Sequence, residues 1–495
     1  MSVREDQELE SRQVKLKAWA KLGFELYPAT FHRTHQAAEV QAMGAEAVPE
    51  LTGSDVPKGK SVTVAGRLMT VRPHGQLWFA TLQDTSGQVQ VAAVEQGSGK
   101  KVWEALQFLD RGDIVGFTGP ACQTKRGEVT VFATEVVPLA KCLEVLPEKW
   151  HGLKDVEQRL RQRYVDLLMD SDVRELFRKK SVFWRTVREQ LTKAGFMEVD
   201  TPALEAVAGG ADANPFKTHH DALDQDFYLR ISLELPLKRL LVGGFEKVFE
   251  IGKVFRNEGI DTEHLQDYDM CEFYWAYADY NDLMDFTEKM YQEVVHALAG
   301  GLKTTYEGEV IDWSGKWQRR DYFALIKEHS GVDLAGVTDV NELRKLLAKH
   351  KVRYEESMGA GRLIDLFWKK LVRPKVAGPL FLINHPVEVS PLAKRDPKNP
   401  GRVQRMQIIV AGSELGNGFS ELNDPADQKA RFQEQMKLRQ AGDNEAMMMD
   451  EDFITALSYG MPPAAGFGVS ERLFSFIMDK PIRETVLFPP MRSKV

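Results

Sequence analysis

The sequence has few cysteines and no long hydrophobic run. Of 495 residues only Cys122, Cys142 and Cys271 are cysteine. An odd number of widely separated cysteines excludes a disulfide framework and a thiolate zinc cage, and it is typical of a reducing compartment. The apolar run at 377–383 (AGPLFLI) has the length of a core segment, well short of the roughly 18 residues of a membrane span. We therefore expect a cytoplasmic protein with no membrane partner.

The chain also lacks a signal-like N-terminus and an excess of basic residues. Its start, MSVREDQELESR, is charged from the fourth residue, which a secretory signal is not. The formal net charge is -7, whereas non-specific binding to nucleic acid needs clustered Lys and Arg. Any RNA site must therefore be a local patch. With 43% hydrophobic residues, the length predicts two or three folded domains.

Changes in hydrophobic period divide the chain. Residues 5–22 have a helical pattern that ends at Gly23, and from Ser61 five short alternating segments with Gly-bearing turns predict a small β-barrel. Beyond a Pro-bearing stretch, helical and strand patterns alternate, which predicts a large α+β domain. The predicted segments are an N-terminal helical extension (1–57), the barrel (58–137), a linker (138–173) and the α+β domain (174–495), with a helical insertion at about 321–378.

Two of four motif-bearing segments in the large domain carry arginines suited to phosphate. Besides GFMEVDTP at 195–202, a predicted helix-to-strand junction, the segment 245–279 forms two strands with Arg256 at the mouth of their connection. Arginine there can hold a phosphate bidentately or form a surface salt bridge with Glu258. In the segment 461–489 a glycine-bearing strand leads into a helix that begins near Ser470 and carries Arg472 in its first turn. An anion binds readily at such a position.

The fourth segment, GSELGNGFSELND at 412–424, alternates acids and amides with small residues on one predicted strand. Asn417, Phe419 and Glu421 share a face of a regular strand. Glu414 is seven residues from Glu421 and would face the opposite side. A bulge at Gly416 or Gly418 would relax that constraint.

Together these segments resemble motifs 1, 2 and 3 of the class II aminoacyl-tRNA synthetases, in the subgroup with the aspartyl, asparaginyl and lysyl enzymes. Short segments that resemble sequences of the lysyl-tRNA synthetase family occur in order from about 60 to 489, among them RQRYVDL, GGADANPFKTHH, FRNEGID, EVSPLAK, LGNGFSELNDPADQ and LFPPMR. The resemblance implies an OB-fold barrel and a catalytic α+β domain built on an antiparallel sheet.

The resemblance implies an ATP-dependent ligase that joins lysine to lysine tRNA. Lysine carboxylate attacks the α-phosphate of ATP, pyrophosphate leaves, and the terminal ribose hydroxyl of the tRNA then takes the lysyl group. Because the first nucleophile is already an anion, catalysis needs positioning and charge stabilisation by Arg and Mg²⁺ rather than a base. The implied roles are Arg256 at the α-phosphate and Arg472 at the γ-phosphate (catalytic), His264 at the triphosphate, Tyr268 and Arg472 around the adenine with Glu258 nearby, and Glu414 and Gln407 at magnesium.

The resemblance also implies a lysine pocket. A buried ammonium needs carboxylates in place of water, and its methylene stem needs an apolar wall. The matching residues are the acids Glu234, Glu272 and Glu421, the aromatics Tyr274 and Phe419, and Asn417 and Gly210 for the polar end of the amino acid. The alternative is that these acids pair with neighbouring Lys or Arg residues of the chain.

The barrel resembles the subgroup's anticodon-binding domain. The implied contacts with lysine tRNA are stacking on Phe79 and an edge contact from Gln90, assisted by Arg72 and Glu128. Core packing is the alternative for Phe79. Pro202 matches the family's dimer-interface proline, which implies a homodimer.

Three departures from the lysyl pattern concern ATP and metal. The loop reads HLQDY rather than HNPEF, so Leu265 removes a polar contact whereas Tyr268 can still stack. Gln407 stands where the family has a magnesium-binding glutamate, and an amide binds Mg²⁺ less strongly than a carboxylate. The third motif, GFGVSER, is one residue shorter than the usual GLGIGIDR. We expect reduced metal affinity and retained activity.

Three alternatives stay open. An aspartyl or asparaginyl ligase would share the architecture, but three acids around the pocket would repel an acidic substrate. A lysyl ligase relative that modifies a translation factor normally lacks the barrel. The third is a tRNA-binding regulator whose chemistry has lapsed through the departures above.

Overall fold

The structure is a computed structural model that describes residues 3–43, 56–57, 59–124, 126–147, 155–259, 264–356, 358–443 and 445–493. The chain divides into two compact units, Met1–Lys154 and Asp155–Val495. No helix in these ranges is long and apolar enough to cross a membrane. Parts of the predicted extension and linker, and residues 260–263 of the loop after Arg256, lie outside the described residues.

The first unit is built around a closed barrel. Its helices are α1 (Val3–Lys21), α2 (Ala37–Ala42) and α3 (Lys100–Leu106). Its strands are β1 (Ser61–His74), β2 (Leu77–Gln83), β3 (Gln88–Val94), β4 (Ile114–Gln123), β5 (Val129–Phe132) and β6 (Glu135–Ala140). The strands pair in the order β1-β2-β3-β5-β4, pairing of β4 with β1 closes the barrel, and β6 adds to β4.

The period-two pattern of the barrel strands produces its core. In β2, Trp78, Ala80 and Leu82 point inward and are buried, while Phe79 and Thr81 alternate to the outside. Trp19 of α1 is buried in the same apolar cluster, which gives the amphipathic helix a packing role. The predicted multidomain fold, with an N-terminal OB-type barrel, is confirmed.

The second unit contains the longer elements. Its helices are α4 (Val156–Arg161), α5 (Arg163–Met169), α6 (Ser171–Lys193), α7 (Glu234–Val242), α8 (Tyr280–Ala299), α9 (Tyr322–Ser330), α10 (Val340–Lys349), α11 (Ala360–Phe367), α12 (Pro425–Gln440), α13 (Glu451–Ser458) and α14 (Arg472–Ile477). Its strands are β7 (Met197–Glu198), β8 (Leu204–Glu205), β9 (Lys217–His220), β10 (Gln225–Leu229), β11 (Lys247–Phe255), β12 (Asp267–Ala276), β13 (Lys303–Tyr306), β14 (Glu309–Asp312), β15 (Gln318–Asp321), β16 (Leu380–Ile383), β17 (Arg395–Asp396), β18 (Asn399–Val403), β19 (Arg405–Val410), β20 (Ser413–Ser420) and β21 (Ala464–Ser470).

Eight of the described strands form the central sheet, in the order β15-β16-β19-β20-β21-β12-β11-β7. All neighbours are antiparallel except the outermost pairs, β15–β16 and β7–β11, which are parallel. The predicted antiparallel sheet is therefore confirmed. One face is covered by α6 and α8, whose Phe183, Val187 and Val294 join Phe273 and Phe467 of the sheet in the largest apolar cluster.

The segment between β15 and β16 is largely helical. It holds α9, α10 and α11, and α11 continues into one turn of π-helix at Trp368–Val372. These helices bury Leu325, Leu347 and Leu363 in a cluster of their own. The helical content agrees with the pattern in 321–378, and the assignment of this segment as an insertion stays a prediction.

Two element positions differ from the predicted domain boundaries. Strand β6 continues to Ala140, past the predicted barrel end at 137, because Val136 and Pro138 alternate inward beside β4. Helices α4 and α5, placed in the linker from sequence, belong to the second compact unit. Arg163 of α5 is buried and donates to the carbonyls of Glu484, Val486 and Leu487, which fixes α5 to the end of that unit.

Candidate active site

Alternation along the sheet strands brings the predicted site residues to one face. In β12, Cys271 and Phe273 enter the core under α6 and α8, so Glu272 and Tyr274 face the opposite side. A cavity of about 610 Å³ opens on that side. Of the residues predicted for ATP, lysine and metal, those that line it are Gly210, Glu234, Arg256, Glu258, His264, Tyr268, Glu272, Tyr274, Gln407, Glu414, Asn417, Phe419 and Arg472. Glu421 lies just behind the wall, beside Gly466.

A β-bulge places Glu414 on the cavity side. Ile408 of β19 pairs with Gly416, but Ile409 pairs with Glu414, so Leu415 is an extra residue on β20. Leu415 turns into the core, and Glu414 and Asn417 consequently face the cavity together. The predicted bulge in this strand does occur, but the extra residue is Leu415, immediately before Gly416. A regular strand would have directed Glu414 away from the site.

Two glycines of β21 keep the middle of the cavity open. Gly466 lies opposite Tyr274 and Gly468 lies opposite Glu272 on the neighbouring strand. A Cβ atom at Gly466 would overlap the Tyr274 ring and Oε1 of Glu421. The glycine is therefore required because the neighbouring side chains occupy the space above its backbone.

Glu272 is a buried carboxylate held by three donors. It accepts hydrogen bonds from the Ser232 hydroxyl (2.6 Å), the Leu233 backbone N–H (2.9 Å) and the Tyr274 hydroxyl (2.9 Å). Burial raises the pKa of Glu272, and these hydrogen bonds oppose the shift. Neutral hydrogen-bond donors therefore stabilise the Glu272 carboxylate, and none of the described residues forms an ion pair with it.

Glu234 and Glu421 are bridged by a lysine of the chain itself. Lys238, one turn along α7 from Glu234, contacts the Glu234 carboxylate at 2.5 Å and forms a second ion pair with Glu421. Burial raises the pKa of Glu234 to about 7, and the Lys238 ammonium opposes that shift. The alternative interpretation, pairing with a neighbouring Lys, thus applies to two of the three acids. It does not remove the pocket, because Glu234 still lines the cavity.

The polar end of the predicted lysine site is preformed. Asn417 Oδ1 accepts a hydrogen bond from Arg405 Nε (2.8 Å), which fixes the amide. Gly210 has a positive φ of 85°, and a Cβ atom there would press on Ser232 and Glu234. Both residues therefore bring backbone or amide groups close to the acids without filling the cavity.

Arg256 and Arg472 line the same cavity from just beyond the ends of β11 and β21. Arg256 follows β11, donates through Nε to the Ile231 carbonyl (3.3 Å), and its guanidinium lies 5.6 Å from the Tyr268 ring centroid. Arg472 opens α14, where its backbone N–H donates to the Ser470 hydroxyl (3.3 Å). Two half-buried guanidinium groups on one cavity are suited to a polyphosphate.

The predicted metal position combines one carboxylate with one amide whose oxygen already has a hydrogen-bond partner. Gln407 is buried, and its Oε1 lies 3.0 Å from Nε2 of buried His385. Glu414 lines the cavity on the neighbouring strand. Arg373 of the helical segment also lines the wall, and Lys369 there forms an ion pair with Asp365 (2.8 Å). No cluster of three or more His, Cys, Asp or Glu side chains suited to a metal occurs among the described residues.

The departures from the lysyl pattern have local packing explanations. Leu265 is buried in the cavity wall, so the apolar side chain is accommodated rather than exposed. The short third motif continues β21 without a break up to Ser470. Buried Glu471, which follows it, forms an ion pair with Lys180, and the Lys180 ammonium also donates to the Thr485 carbonyl (3.0 Å).

The four predicted anticodon residues share the outer face of the barrel. Arg72 of β1 lies directly opposite Phe79 of β2, and Gln90 lies opposite Thr81, the next outward residue. Gln90 Nε2 donates to the Glu128 carboxylate (2.8 Å). Phe79 is half-buried and packs against the barrel core, so the packing alternative applies to this position in part.

Sequence reasoning missed Lys238 and Arg405. The i,i+4 spacing of Glu234 and Lys238 on a predicted helix was a visible signal. Arg405 stands two residues before Gln407 on the same strand face, so the period-two rule applied to Gln407 would have found it.

Comparisons with known proteins agree with this geometry. The family model "tRNA synthetases class II (D, K and N)" matches residues 155–492, and "OB-fold nucleic acid binding domain" matches residues 62–139. The chain is 47% identical to "Lysine--tRNA ligase" of Carboxydothermus hydrogenoformans over 98% of this chain and 97% of the relative. Proteins of the same name from Thermoanaerobacter pseudethanolicus (44%; 98% and 96%) and Bacillus subtilis (42%; 98% and 97%) are also similar. The chain therefore belongs to the class II tRNA synthetases of the D, K and N group.

Proposed function

We propose that the protein is an ATP-dependent ligase that activates L-lysine and transfers it to lysine tRNA. The observation that carries this function is one cavity that is lined by both buried acids and two arginines. The acids suit an ammonium, which an aspartyl or asparaginyl substrate does not have on its side chain. The relatives named lysine–tRNA ligase, similar over nearly their full lengths, support the same assignment.

In the first step the cavity aligns two anions that repel each other. Arg256 neutralises the α-phosphate and the lysine carboxylate as they approach, and Arg472 holds the γ-phosphate of the departing pyrophosphate. His264 reaches the triphosphate, and Tyr268 stacks on the adenine with Glu258 at its edge. No residue removes a proton, because the attacking carboxylate is already ionised at neutral pH.

Lysine binds with its side-chain ammonium among Glu272, Glu421 and the Tyr274 hydroxyl. Its methylene stem lies against the Phe419 ring, and Asn417, Gly210 and Glu234 receive its α-amino end. These contacts are supported by the single cavity face on which Glu272, Tyr274 and Phe419 lie. The lysyl group then passes to the terminal ribose hydroxyl of the tRNA.

Magnesium fits this site with one strong ligand. Glu414 would hold the ion as a carboxylate and Gln407 as an amide oxygen, with substrate phosphates completing the oxygen set that Mg²⁺ prefers. When bound, the ion stabilises negative charge on the phosphates. Gln407 must release His385 or share its oxygen to do so, which supports a lowered metal affinity.

The barrel face formed by Arg72, Phe79, Gln90 and Glu128 binds the anticodon of lysine tRNA. Stacking on Phe79 and the hydrogen-bonding groups of Gln90 and Glu128 support this role.

The protein acts as a homodimer in the cytoplasm, where translation uses its product. Pro202 is exposed just beyond the edge strand β7, as a dimer contact requires, and sedimentation at micromolar concentration tests the dimer.

The decisive experiment is exchange of labelled pyrophosphate into ATP without tRNA, across a Mg²⁺ series. It is run with lysine, aspartate, asparagine, arginine and ornithine. Exchange with lysine and none with aspartate or asparagine is the expected result. Absence of exchange with any amino acid, in a folded protein that still binds lysine tRNA, would replace this proposal with the lapsed regulator.

A further inference from the structure

Lys238 is a fully buried ammonium behind the acidic wall of the cavity, which Glu234 and Glu272 line. Its side chain is 0% exposed, and it forms ion pairs with Glu234 at 2.5 Å and with Glu421. It also lies 5.4 Å from the Phe419 ring centroid. Two carboxylates and one aromatic ring predicted to hold the substrate therefore already contact an ammonium of the protein.

The charges around Lys238 come from three elements besides its own helix. Glu234 contacts it from α7 and Glu421 from the residue after β20. Glu272 and Tyr274 of β12 act on these two acids, and Arg405 of β19 acts on Glu234 from the cavity wall. Burial raises the pKa of Glu421 well above its ordinary value, and Lys238 is the largest opposing influence. Without that ammonium, the buried acids would hold protons at higher pH.

We propose that Lys238 is a positioning and specificity residue that adjusts the charge of the pocket to a diamino acid. This inference rests on the proposed lysine substrate. With lysine bound and all three acids deprotonated, three carboxylates and one resident ammonium carry two negative charges, which match the two ammonium groups of lysine. An amino acid with a neutral side chain would leave one buried charge unbalanced, which is costly.

The arrangement also fixes the direction in which the acids point. Lys238 contacts one oxygen of Glu234 and one of Glu421, while Glu421 Oε1 lies against Gly466 and Glu234 lines the cavity. Among the described residues neither oxygen of Glu421 accepts a regular hydrogen bond, and Oε2 is the one that forms the ion pair with Lys238. Lys238 thus holds the two carboxylates in the orientation that the substrate uses, without contacting the reacting atoms.

The test compares Lys238→Met with the wild type in lysine-dependent pyrophosphate exchange between pH 6.5 and 8.5. Methionine keeps the length and removes the charge. The lysine KM of the variant should rise by about tenfold or more at pH 7, one pKa unit being tenfold, and fall again as pH rises. The ATP KM should stay within about twofold, since Lys238 contacts none of the residues proposed to hold ATP.

Lys141→Met is the matched control. Lys141 is also 0% exposed and pairs with Asp110 (2.7 Å) and Asp113 (2.8 Å), but in the first unit. Its loss should lower stability without moving the lysine KM or its pH profile. An unchanged lysine KM and pH profile in folded Lys238→Met would overturn the proposal, and so would an equal rise in the ATP KM.

A second measurement applies if Lys238→Met does not fold. Calorimetry of lysine binding to the wild type, in two buffers of different ionisation enthalpy, reports proton release. Binding should release protons near pH 7, because Glu234 has a pKa of about 7 in the empty pocket and the substrate ammonium lowers it. Lysine binding with no proton release would overturn the charge-adjustment proposal. Absence of lysine-dependent exchange by the wild type would instead refute the proposed function.

Discussion

Replacing Gly466 by alanine adds one methyl group at the wall between the acids and Tyr274. The new Cβ would overlap two ring carbons of Tyr274 and Oε1 of Glu421. Both neighbours are buried, and the Tyr274 hydroxyl is held by Glu272 (2.9 Å), so the ring cannot rotate away without losing that hydrogen bond. The lysine end of the cavity must therefore shift.

The cost follows from overpacking a filled site. Such insertions cost about 1–3 kcal/mol, which corresponds to roughly 5- to 160-fold in an equilibrium constant. Because the displaced groups are those proposed to hold the substrate ammonium, we expect most of this cost in lysine affinity. The ATP KM should change by less than about threefold, since the atoms nearest the new Cβ belong to Tyr274 and Glu421 and not to Arg256 or Arg472.

The assay is lysine-dependent pyrophosphate exchange, with Gly468→Ala as the control. A Cβ atom at Gly468 meets the flexible end of Met270 at 2.9 Å and Glu272 Cγ at 3.6 Å, so the site can adjust. Its lysine KM should stay near the wild-type value. A folded Gly466→Ala protein with unchanged lysine KM would refute the placement of Tyr274 and Glu421 at the substrate.

Three further changes test other parts of the site. Arg256→Lys keeps the charge but loses the planar fork, and we expect the exchange kcat to fall by about 10²-fold or more with the fold intact by circular dichroism. Gln407→Glu supplies a second carboxylate, so half-maximal exchange should need less Mg²⁺; an unchanged Mg²⁺ requirement would remove Gln407 from the metal site. Phe79→Ala should raise the KM for lysine tRNA in charging, by the roughly 1–3 kcal/mol of one stacked base, and leave pyrophosphate exchange unchanged; loss of exchange would instead indicate that Phe79 supports the fold.

Elements with a strong period were predictable from sequence. The β-branched and aromatic segment KVFEIGKVF coincides with β11, and alternation in LWFATLQ places Trp78 inside the barrel and Phe79 outside. The helix that starts at Arg472 follows directly from the glycine-bearing strand before it. These local patterns depend on near neighbours in the chain, so sequence alone carries them.

Two decisive features of the site depend on distant pairing. The bulge at Leu415 arises from how β20 pairs with β19, and the period of β20 alone does not reveal which residue is extra. The bridge from Lys238 to Glu421 joins residues far apart in the chain. Spacing along α7 could have indicated the contact with Glu234, but only the fold brings Glu421 to the same ammonium.

Because the chain divides into two compact units, defects in the two units would cause two different kinds of translation error. Under the proposed function, the second unit recognises the amino acid through Glu272 and its neighbours, and the first recognises the tRNA through Phe79 and its neighbours. A defect in the pocket would place a wrong amino acid on the correct tRNA, whereas a defect on the barrel would place lysine on a wrong tRNA. Each substitution therefore has its own signature in the proteome: misincorporation at lysine codons, or lysine at codons for other residues.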